Sequence, residues 1–147
     1  MRGDCRESGD AKVAATQQML RKKIVIVSVV IPVALLHFVT GSNYRGPYPG
    51  FVNGYLLDIL LPLAFYFLLC LSGLSLLASW IVKSILVFGV GAGVEIAQFF
   101  GVPIFGRTFD PVDFVMYGIG AILAAILDTT VFPRIFNFWA PEASEST

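Results

Sequence analysis

Residues 84–100 read SILVFGVGAGVEIAQFF, an apolar run in which Glu95 is the only ionisable side chain. The run approaches the roughly 20 residues that a helix needs to cross the hydrocarbon core of a membrane. A carboxylate in such a segment costs several kcal/mol unless it is protonated, paired or open to a wet cavity. The stretch therefore predicts a membrane helix with a polar functional site around Glu95.

The composition of the whole chain indicates a membrane-embedded protein. Of its 147 residues, 56% are hydrophobic and 14% are charged, and the mean hydropathy is +0.79. Charged residues make up about 25% of a typical soluble domain. The net charge of zero argues against nucleic acid as a partner. Because Cys5 and Cys70 lie in a polar tail and an apolar run, without metal-ligand spacing, we expect no disulfide, metal or cofactor.

Four apolar segments predict an all-α protein, an integral membrane bundle of four transmembrane helices. Turn-forming residues separate the segments at 42–50, at Ser72-Gly73 and at 101–111. Pro133 is expected to end the last helix. The predicted spans are residues 24–39, 55–71, 84–100 and 112–127.

The distribution of basic residues predicts that both termini are cytoplasmic. With that orientation, eight of the ten lysines and arginines lie inside, and only Arg45 and Arg107 lie outside. The transmembrane domain is then residues 24–132, between cytoplasmic tails at 1–23 and 133–147, and we expect a multi-pass protein of the cell membrane. The inner basic residues are Arg2, Arg6, Lys12, Arg21, Lys22, Lys23, Lys83 and Arg134.

The first span has an alternative interpretation as a cleavable signal peptide. Residues 39–41, Val-Thr-Gly, offer small side chains in a plausible cleavage pattern. The region before the span is long for a signal peptide and carries Asp4, Glu7 and Asp10. These features favour a span that is retained.

The unusual polar residues fall in the outer half of the predicted bundle. Glu95 and Gln98 share one face of the third helix, because they are three residues apart. Asp113 opens the fourth helix, and Tyr117 follows one turn deeper on the same face. Asp58 lies about one turn below the outer end of the second helix. These positions predict a polar pocket that faces outward.

Small residues on the same helices predict close packing. Gly89 and Gly93 form a small-xxx-small pair on the third helix. Gly120 and Ala124 continue the stripe of Asp113 on the fourth. The small-xxx-small motif is common and only weakly specific, so we expect tight packing there without naming the partner helix.

Several of the polar residues also have structural explanations. Asp110 followed by proline is a well-formed helix start, and Asp113 stands at the third helical position, near the positive end of the helix dipole. Asp113 can therefore stabilise the start of the helix or bind a ligand, and the sequence leaves both roles open. For Glu95 the alternatives are an ion pair with Arg107 and a protonated acid hydrogen-bonded to Gln98.

The order and spacing of four residues resemble the VanZ-like family. That family has a glutamate, a glutamine three residues later, an arginine in the following loop and an aspartate that opens the last helix, and Glu95, Gln98, Arg107 and Asp113 match this pattern. The asparagine expected one turn after the aspartate is Tyr117 here, which departs from the pattern. The resemblance implies a multi-pass membrane protein. Some members are associated with low-level resistance to teicoplanin, a glycopeptide that acts outside the cell on lipid-linked wall precursors, and most have no assigned activity.

The first functional hypothesis is a non-enzymatic protein that binds a polar or lipid-linked ligand in the outward-facing pocket. Membrane lipids and a lipid-linked or glycopeptide-like ligand are the expected partners, and Arg107 would engage an anionic group. The predicted ligand-binding residues are Glu95, Gln98, Arg107, Asp113, Asp58 and Tyr117.

Two further hypotheses remain open from the residues alone. A small proton-coupled transporter would use Glu95 as a protonation site and, with only four short helices, would require a homo-oligomer. A structural or assembly protein would use the polar cluster to hold its helices together. An enzyme is less favoured, since the sequence has no His-Glu-x-x-His motif, no glycine-rich phosphate loop and no serine–histidine pair in plausible register.

Overall fold

The computed structural model of the chain describes residues 4–39, 44–102 and 109–139, with side chains described except at 4–11 and 37–39. Within these residues all regular structure is helical, which confirms the predicted all-α class. A 3₁₀ turn at Ser75–Ala78 precedes α4, and a π-helical segment at Leu127–Val131 joins α5 to α6. The helices are α1 (Asp4–Val39), α2 (Pro49–Gly54), α3 (Leu56–Leu69), α4 (Trp80–Phe99), α5 (Pro111–Ile126) and α6 (Phe132–Ile135).

Helix α1 is continuous from the polar amino-terminal region into the first predicted span. It begins at Asp4, well before residue 24 where the span was expected to start, and it contains Pro32. Its polar part is mostly exposed from residue 12 onward, whereas Ile26 and Val33 are buried. Packing against α3 therefore uses the apolar part of the helix alone.

The predicted second span, residues 55–71, corresponds to α3, and the short helix α2 precedes it. Helix α2 starts at Pro49, where proline needs no N–H partner. The preceding Tyr48 has a φ of 53°, a left-handed conformation that turns the chain into the helix. Helix α3 then runs for 14 residues, which is shorter than the roughly 20 needed to cross a membrane unaided. It ends just before Ser72 and Gly73, as predicted.

Helices α4 and α5 are the long apolar helices of the fold, and α5 packs along both α3 and α4. A Cβ at Gly120 would lie 3.0 Å from the carbonyl carbon of Ile59 in α3, so only glycine allows this approach. The small-residue stripe of α5 thus packs closely, as expected. Gly89 and Gly93 do not contribute to packing of the described residues, because nothing lies within 4 Å of a Cβ at either position.

The carboxyl-terminal end of α5 changes register before α6. The N–H of Phe132 donates to the carbonyl of Leu127, five residues earlier, in the π-helical segment. This change places Pro133 in the first turn of α6, where its missing N–H costs nothing. The helix continues to Ile135, so the prediction that Pro133 ends it is wrong by two residues.

The main packing core lies at the end of the bundle opposite Glu95. Tyr66 and Phe67 are 0% exposed, and the ring of Phe67 contacts those of Phe132 and Trp139. The ring centroids of Phe132 and Trp139 lie 4.7 Å apart in an edge-to-face arrangement. Trp139 is buried in this core.

Two helices of the described chain are long and apolar enough to cross a membrane. They are Trp80–Phe99 and the extended helix Pro111–Ile135, with 20 and 25 residues. Large apolar side chains on both helices are exposed, among them Ile85 on α4 and Val115 on α5. These outward-facing side chains weakly indicate a membrane location.

Candidate functional site

The candidate site lies at the end of the bundle where α3 and α5 begin and α4 ends. Glu95, in the last turns of α4, contacts Asp110 and Tyr117 at the start of α5. Lys83, in the first turn of α4, contacts Asp128 beyond the end of α5. Helix α4 therefore runs antiparallel to α5. We call the two ends of the bundle the Glu95 end and the Lys83 end.

Glu95 is buried and fully engaged by its neighbours. Only 1% of the surface of Glu95 is exposed to solvent. The hydroxyl of Tyr117 donates to Oε1 at 3.0 Å, and the backbone N–H of Asp110 donates to Oε2 at 3.2 Å. Neither contact had been predicted from the sequence, which suggested Arg107 or Gln98 as partners. Glu95 thus holds the first turns of α5 against α4.

Tyr117 is positioned by a glycine on the facing helix. A Cβ at Gly91 would lie 2.7 Å from Cδ2 of the Tyr117 ring, so the ring packs directly on the backbone of α4. Tyr117 is also close enough to interact with the carboxylate of Asp58 from α3. The tyrosine therefore connects three helices at the Glu95 end, and its hydroxyl donates to Glu95.

A cleft of about 710 Å³ is lined by residues of α2, α3, α4 and the start of α5. Five of the six predicted ligand-binding residues line it: Asp58, Glu95, Gln98, Asp113 and Tyr117. The sixth, Arg107, lies outside the described residues. The opposite half of the cleft is apolar and is lined by Leu57, Leu61, Pro62, Phe65, Val87, Val90 and Val94.

Four carboxyl groups lie close together at the polar end of this cleft. Asp58 interacts electrostatically with Glu95 and Asp110, and Asp113 interacts with all three. The side chain of Asp110 also accepts a hydrogen bond from the N–H of Val112 at 2.9 Å, which confirms its predicted role as the N-cap of α5. Among the described residues, no three His, Cys, Asp or Glu side chains are placed to hold a metal ion together.

The short helix α2 contributes residues that the sequence analysis missed. Asn53 lines the cleft, and its Nδ2 donates to the carbonyl of Tyr44 at 3.1 Å. Its Oδ1 is buried and has no partner among the described residues. The sequence offers one sign of this contribution, a polar residue directly before an apolar segment. That sign does not show that α2 lines the cleft.

A second buried polar cluster lies at the Lys83 end, where the sequence predicted only an exposed basic residue. Lys83 Nζ lies 2.7 Å from Asp128 Oδ2, and the two side chains are 7% and 15% exposed. Asp128 also accepts hydrogen bonds from the hydroxyl of Tyr66 at 2.8 Å and from Nε1 of Trp139 at 2.9 Å. The sulfur of Cys70 lies 3.2 Å from Lys83 Nζ. Helix α4 begins at Trp80, four residues before the predicted start of the third span, and it buries Lys83 in its first turn.

The cluster at the Lys83 end is separate from the candidate site. Lys83 and Glu95 are twelve residues apart on one helix, which corresponds to about 18 Å along the axis. All the residues of the Lys83 cluster are satisfied by one another, and none of them lines the cleft. Its arrangement indicates a structural contact that ties α3, α4 and the carboxyl-terminal segment together.

Comparison with known proteins adds no identification: no family model, curated protein or solved structure matches this chain.

Proposed function

We propose that the chain is an integral membrane protein with four membrane-spanning segments and cytoplasmic termini. The exposed apolar faces of α4 and α5 support this arrangement, since lipid is the medium that such faces suit. Helix α3 is short, and α2 lengthens its apolar segment at the Glu95 end. The bias of eight basic residues predicted to lie inside, against Arg45 and Arg107, supports an outer location for the Glu95 end.

Within this arrangement the protein binds a polar or lipid-linked ligand in the cleft and catalyses no reaction. The observation that carries the proposal is one cavity of about 710 Å³ that combines convergent carboxyl, amide and hydroxyl groups with a long apolar wall. Ligand sites in proteins have this size and this division between an apolar lining and a few orienting polar groups. Asp58, Gln98 and Asp113 are partly exposed in the cleft and are the expected contacts.

A VanZ-like identity is part of the proposal. It is supported by the spacing of Glu95, Gln98, Arg107 and Asp113 in the sequence. The structure describes all of these except Arg107, and the three described residues line one cleft. Through that resemblance the cleft would serve envelope chemistry and confer tolerance to teicoplanin, whose targets are lipid-linked wall precursors at the outer membrane face.

The binding function is tested by asking what co-purifies with the protein. Val90→Trp fills the cleft, whereas Val115→Trp introduces the same side chain on the outer face of α5; the two valines are 50% and 57% exposed. Native mass spectrometry of protein released from nonionic-detergent micelles should show a bound lipid or lipid-linked molecule on the wild type and on Val115→Trp. We expect the bound molecule to be absent from Val90→Trp. Equal retention by both variants, or no bound molecule on the wild type, would refute the proposal.

The proposed role in tolerance to teicoplanin is tested with the substitutions Glu95→Gln and Arg107→Ala. The minimal inhibitory concentration of teicoplanin is measured in a susceptible bacterial host that expresses each form, together with the amount of folded protein in the membrane. We expect the wild type to raise the inhibitory concentration and each variant to lose that effect at unchanged protein level. A phenotype that survives both substitutions would contradict a role for the cleft in tolerance.

The burial of Glu95 favours a second, structural role for this one residue. Glu95 is 1% exposed, and its hydrogen bonds from Asp110 and Tyr117 tie α4 to α5. If its role is structural alone, Glu95→Gln lowers the melting temperature and leaves ligand co-purification intact in the fraction that remains folded.

A further inference from the structure

Helix α1 carries three consecutive basic residues directly before its apolar part. Arg21, Lys22 and Lys23 precede Ile24, and α1 runs without interruption through all of them. Arg21 and Lys23 are exposed, whereas Lys22 is partly buried. Because Arg21 and Ile24 are three residues apart, they are separated by about 4.5 Å along the helix axis. The helix therefore presents positive charge at the edge of an apolar surface.

The same part of α1 is held against the carboxyl-terminal segment. Gln18 Nε2 donates to the carbonyl of Phe138 at 3.1 Å, and Ile26, which is 2% exposed, belongs to the core at the Lys83 end. Gln18, Lys22 and Ile26 recur every four residues, so they share the face of α1 that points to the bundle. These contacts fix the rotation of the helix and leave the basic residues on either side of Lys22 exposed.

The three basic residues have no acidic partner in the described part of the chain. No aspartate or glutamate occurs from residue 12 to residue 39, and no described carboxylate forms an ion pair with Arg21, Lys22 or Lys23. Asp128, a carboxylate at the same end of the bundle, is already paired with Lys83. The positive charge is therefore unmatched within the described structure, and it attracts an external anion.

Exposed apolar side chains lie next to the basic residues. Leu20, Ile24 and Val27 are 57%, 56% and 45% exposed. A soluble anion or an acidic protein surface would match the charge and leave these apolar side chains uncovered. An anionic phospholipid carries a phosphate group and alkyl chains in one molecule, so it matches both features at once. Basic residues directly beside a membrane-spanning helix attract such lipids.

We propose that the start of the apolar part of α1 is a binding surface for anionic phospholipids at the Lys83 end of the bundle. Arg21 and Lys23 contact the phosphate groups, and the planar guanidinium of Arg21 binds two phosphate oxygens at once. Leu20 and Ile24 contact the alkyl chains. The inference rests on the proposed membrane arrangement and is independent of the ligand in the cleft.

The test measures which lipid stays bound to the protein. Full-length protein in nonionic-detergent micelles is mixed with dioleoylphosphatidylglycerol or dioleoylphosphatidylcholine, which share their alkyl chains and differ in net charge. Native mass spectrometry gives the fraction of protein that carries lipid. We expect phosphatidylglycerol to half-saturate the wild type at a mole fraction about tenfold lower than phosphatidylcholine, a difference of about 1.4 kcal/mol in binding free energy. Glycerol phosphate, which has the anionic group without alkyl chains, should not compete at the same concentration.

Neutralising the basic residues should remove the preference for phosphatidylglycerol. The variant Arg21→Gln/Lys22→Gln/Lys23→Gln is expected to bind the two lipids equally, with its melting temperature recorded to confirm that it is folded. If this triple variant does not fold, Arg21→Gln and Lys23→Gln alone should each raise the half-saturating mole fraction of phosphatidylglycerol about fivefold, the contribution of one basic residue at an anionic surface.

Two control variants separate this surface from other sources of lipid binding. Arg2→Gln/Arg6→Gln/Lys12→Gln removes the same number of positive charges from the sequence before residue 13, so it should keep the preference of the wild type. Val90→Trp fills the cleft at the other end of the bundle and should keep it as well. These controls exclude a general effect of net charge and a lipid that lies in the cleft.

Three results would overturn the inference. If the wild type binds both lipids equally, or if the variant neutralised at residues 21–23 keeps the preference, these basic residues do not select the lipid. If glycerol phosphate displaces phosphatidylglycerol at the same concentration, the surface binds a phosphate ion and the alkyl chains contribute nothing. If Val90→Trp loses phosphatidylglycerol while the variant at residues 21–23 retains it, the lipid lies in the cleft, and the inference fails while the proposed function stands.

Discussion

The buried ion pair between Lys83 and Asp128 predicts a strong and non-additive response to substitution. Lys83 Nζ lies 2.7 Å from Asp128 Oδ2, with only 7% and 15% of the two side chains exposed. Removing one member of such a pair leaves a buried charge without its partner, which costs about 3–5 kcal/mol. We therefore expect Lys83→Met and Asp128→Asn each to lower the free energy of unfolding by that amount.

The double variant Lys83→Met/Asp128→Asn should recover most of this loss. The asparagine Oδ1 can still accept from Nε1 of Trp139, and its Nδ2 can donate to the hydroxyl oxygen of Tyr66, since those groups lie 2.9 and 2.8 Å from the present carboxylate oxygens. Methionine fills nearly the volume of the lysine stem without a charge. The expected cost of the double variant is about 1 kcal/mol, the net value of one ordinary hydrogen bond.

Stability is measured by titrating the micellar protein with sodium dodecyl sulfate and following tryptophan fluorescence. Lys12→Met is the matched control, because Lys12 is exposed on α1 and a surface substitution usually changes stability by less than about 0.5 kcal/mol. If the two single variants each cost under about 1 kcal/mol, the pair behaves as an exposed salt bridge. If the double variant costs the sum of the singles, the two charges are not coupled. Either result would refute the reasoning.

Further substitutions at four positions test the packing and hydrogen bonding around the cleft. Gly120→Ala should destabilise the protein by about 1–3 kcal/mol or more, because the added Cβ meets the backbone of α3. Gly93→Ala should stabilise the protein by up to about 1 kcal/mol, because nothing lies within 4 Å of a Cβ there. Equal melting temperatures for the two variants would contradict the helix contact. Tyr117→Phe removes a donor to a buried carboxylate and should cost about 1–3 kcal/mol in the same unfolding titration, and an unchanged midpoint would show that the contact contributes nothing. Asp110→Ala should cost about 0.5–2 kcal/mol through loss of the N-cap, while Asp110→Ser should retain most of the stability because serine also caps; similar losses in both would exclude capping as the cause.

The candidate site was largely predictable because its residues follow helical periodicity and lie at helix ends. Glu95 and Gln98 share a face by their spacing alone, and Asp110 followed by proline predicts where α5 begins. Once those two helices are antiparallel neighbours, Asp113 must lie beside Glu95. The pairing of Glu95 with the hydroxyl of Tyr117 was missed, since it depends on the close approach that Gly91 permits.

The cluster at the Lys83 end was not predictable by the same reasoning. Lys83 and Asp128 are 45 residues apart, and nothing in their local sequence favours a contact. Asp128 lies in the π-helical segment that follows Ile126, and Trp139 reaches Asp128 from beyond α6. A change of register and a chain reversal depend on packing, which local propensity does not determine.

The sequence by itself determined the helical class, the apolar segments and the presence of costly acids in them, because composition and period need no partner to be recognised. Only the tertiary structure decided how those acids are satisfied. It buries Glu95 between α4 and α5 and leaves Asp58 and Asp113 in the cleft. The physical reason is that a side chain's burial and hydrogen bonds depend on the rotation and approach of neighbouring helices, and single glycines at the contacts set that approach.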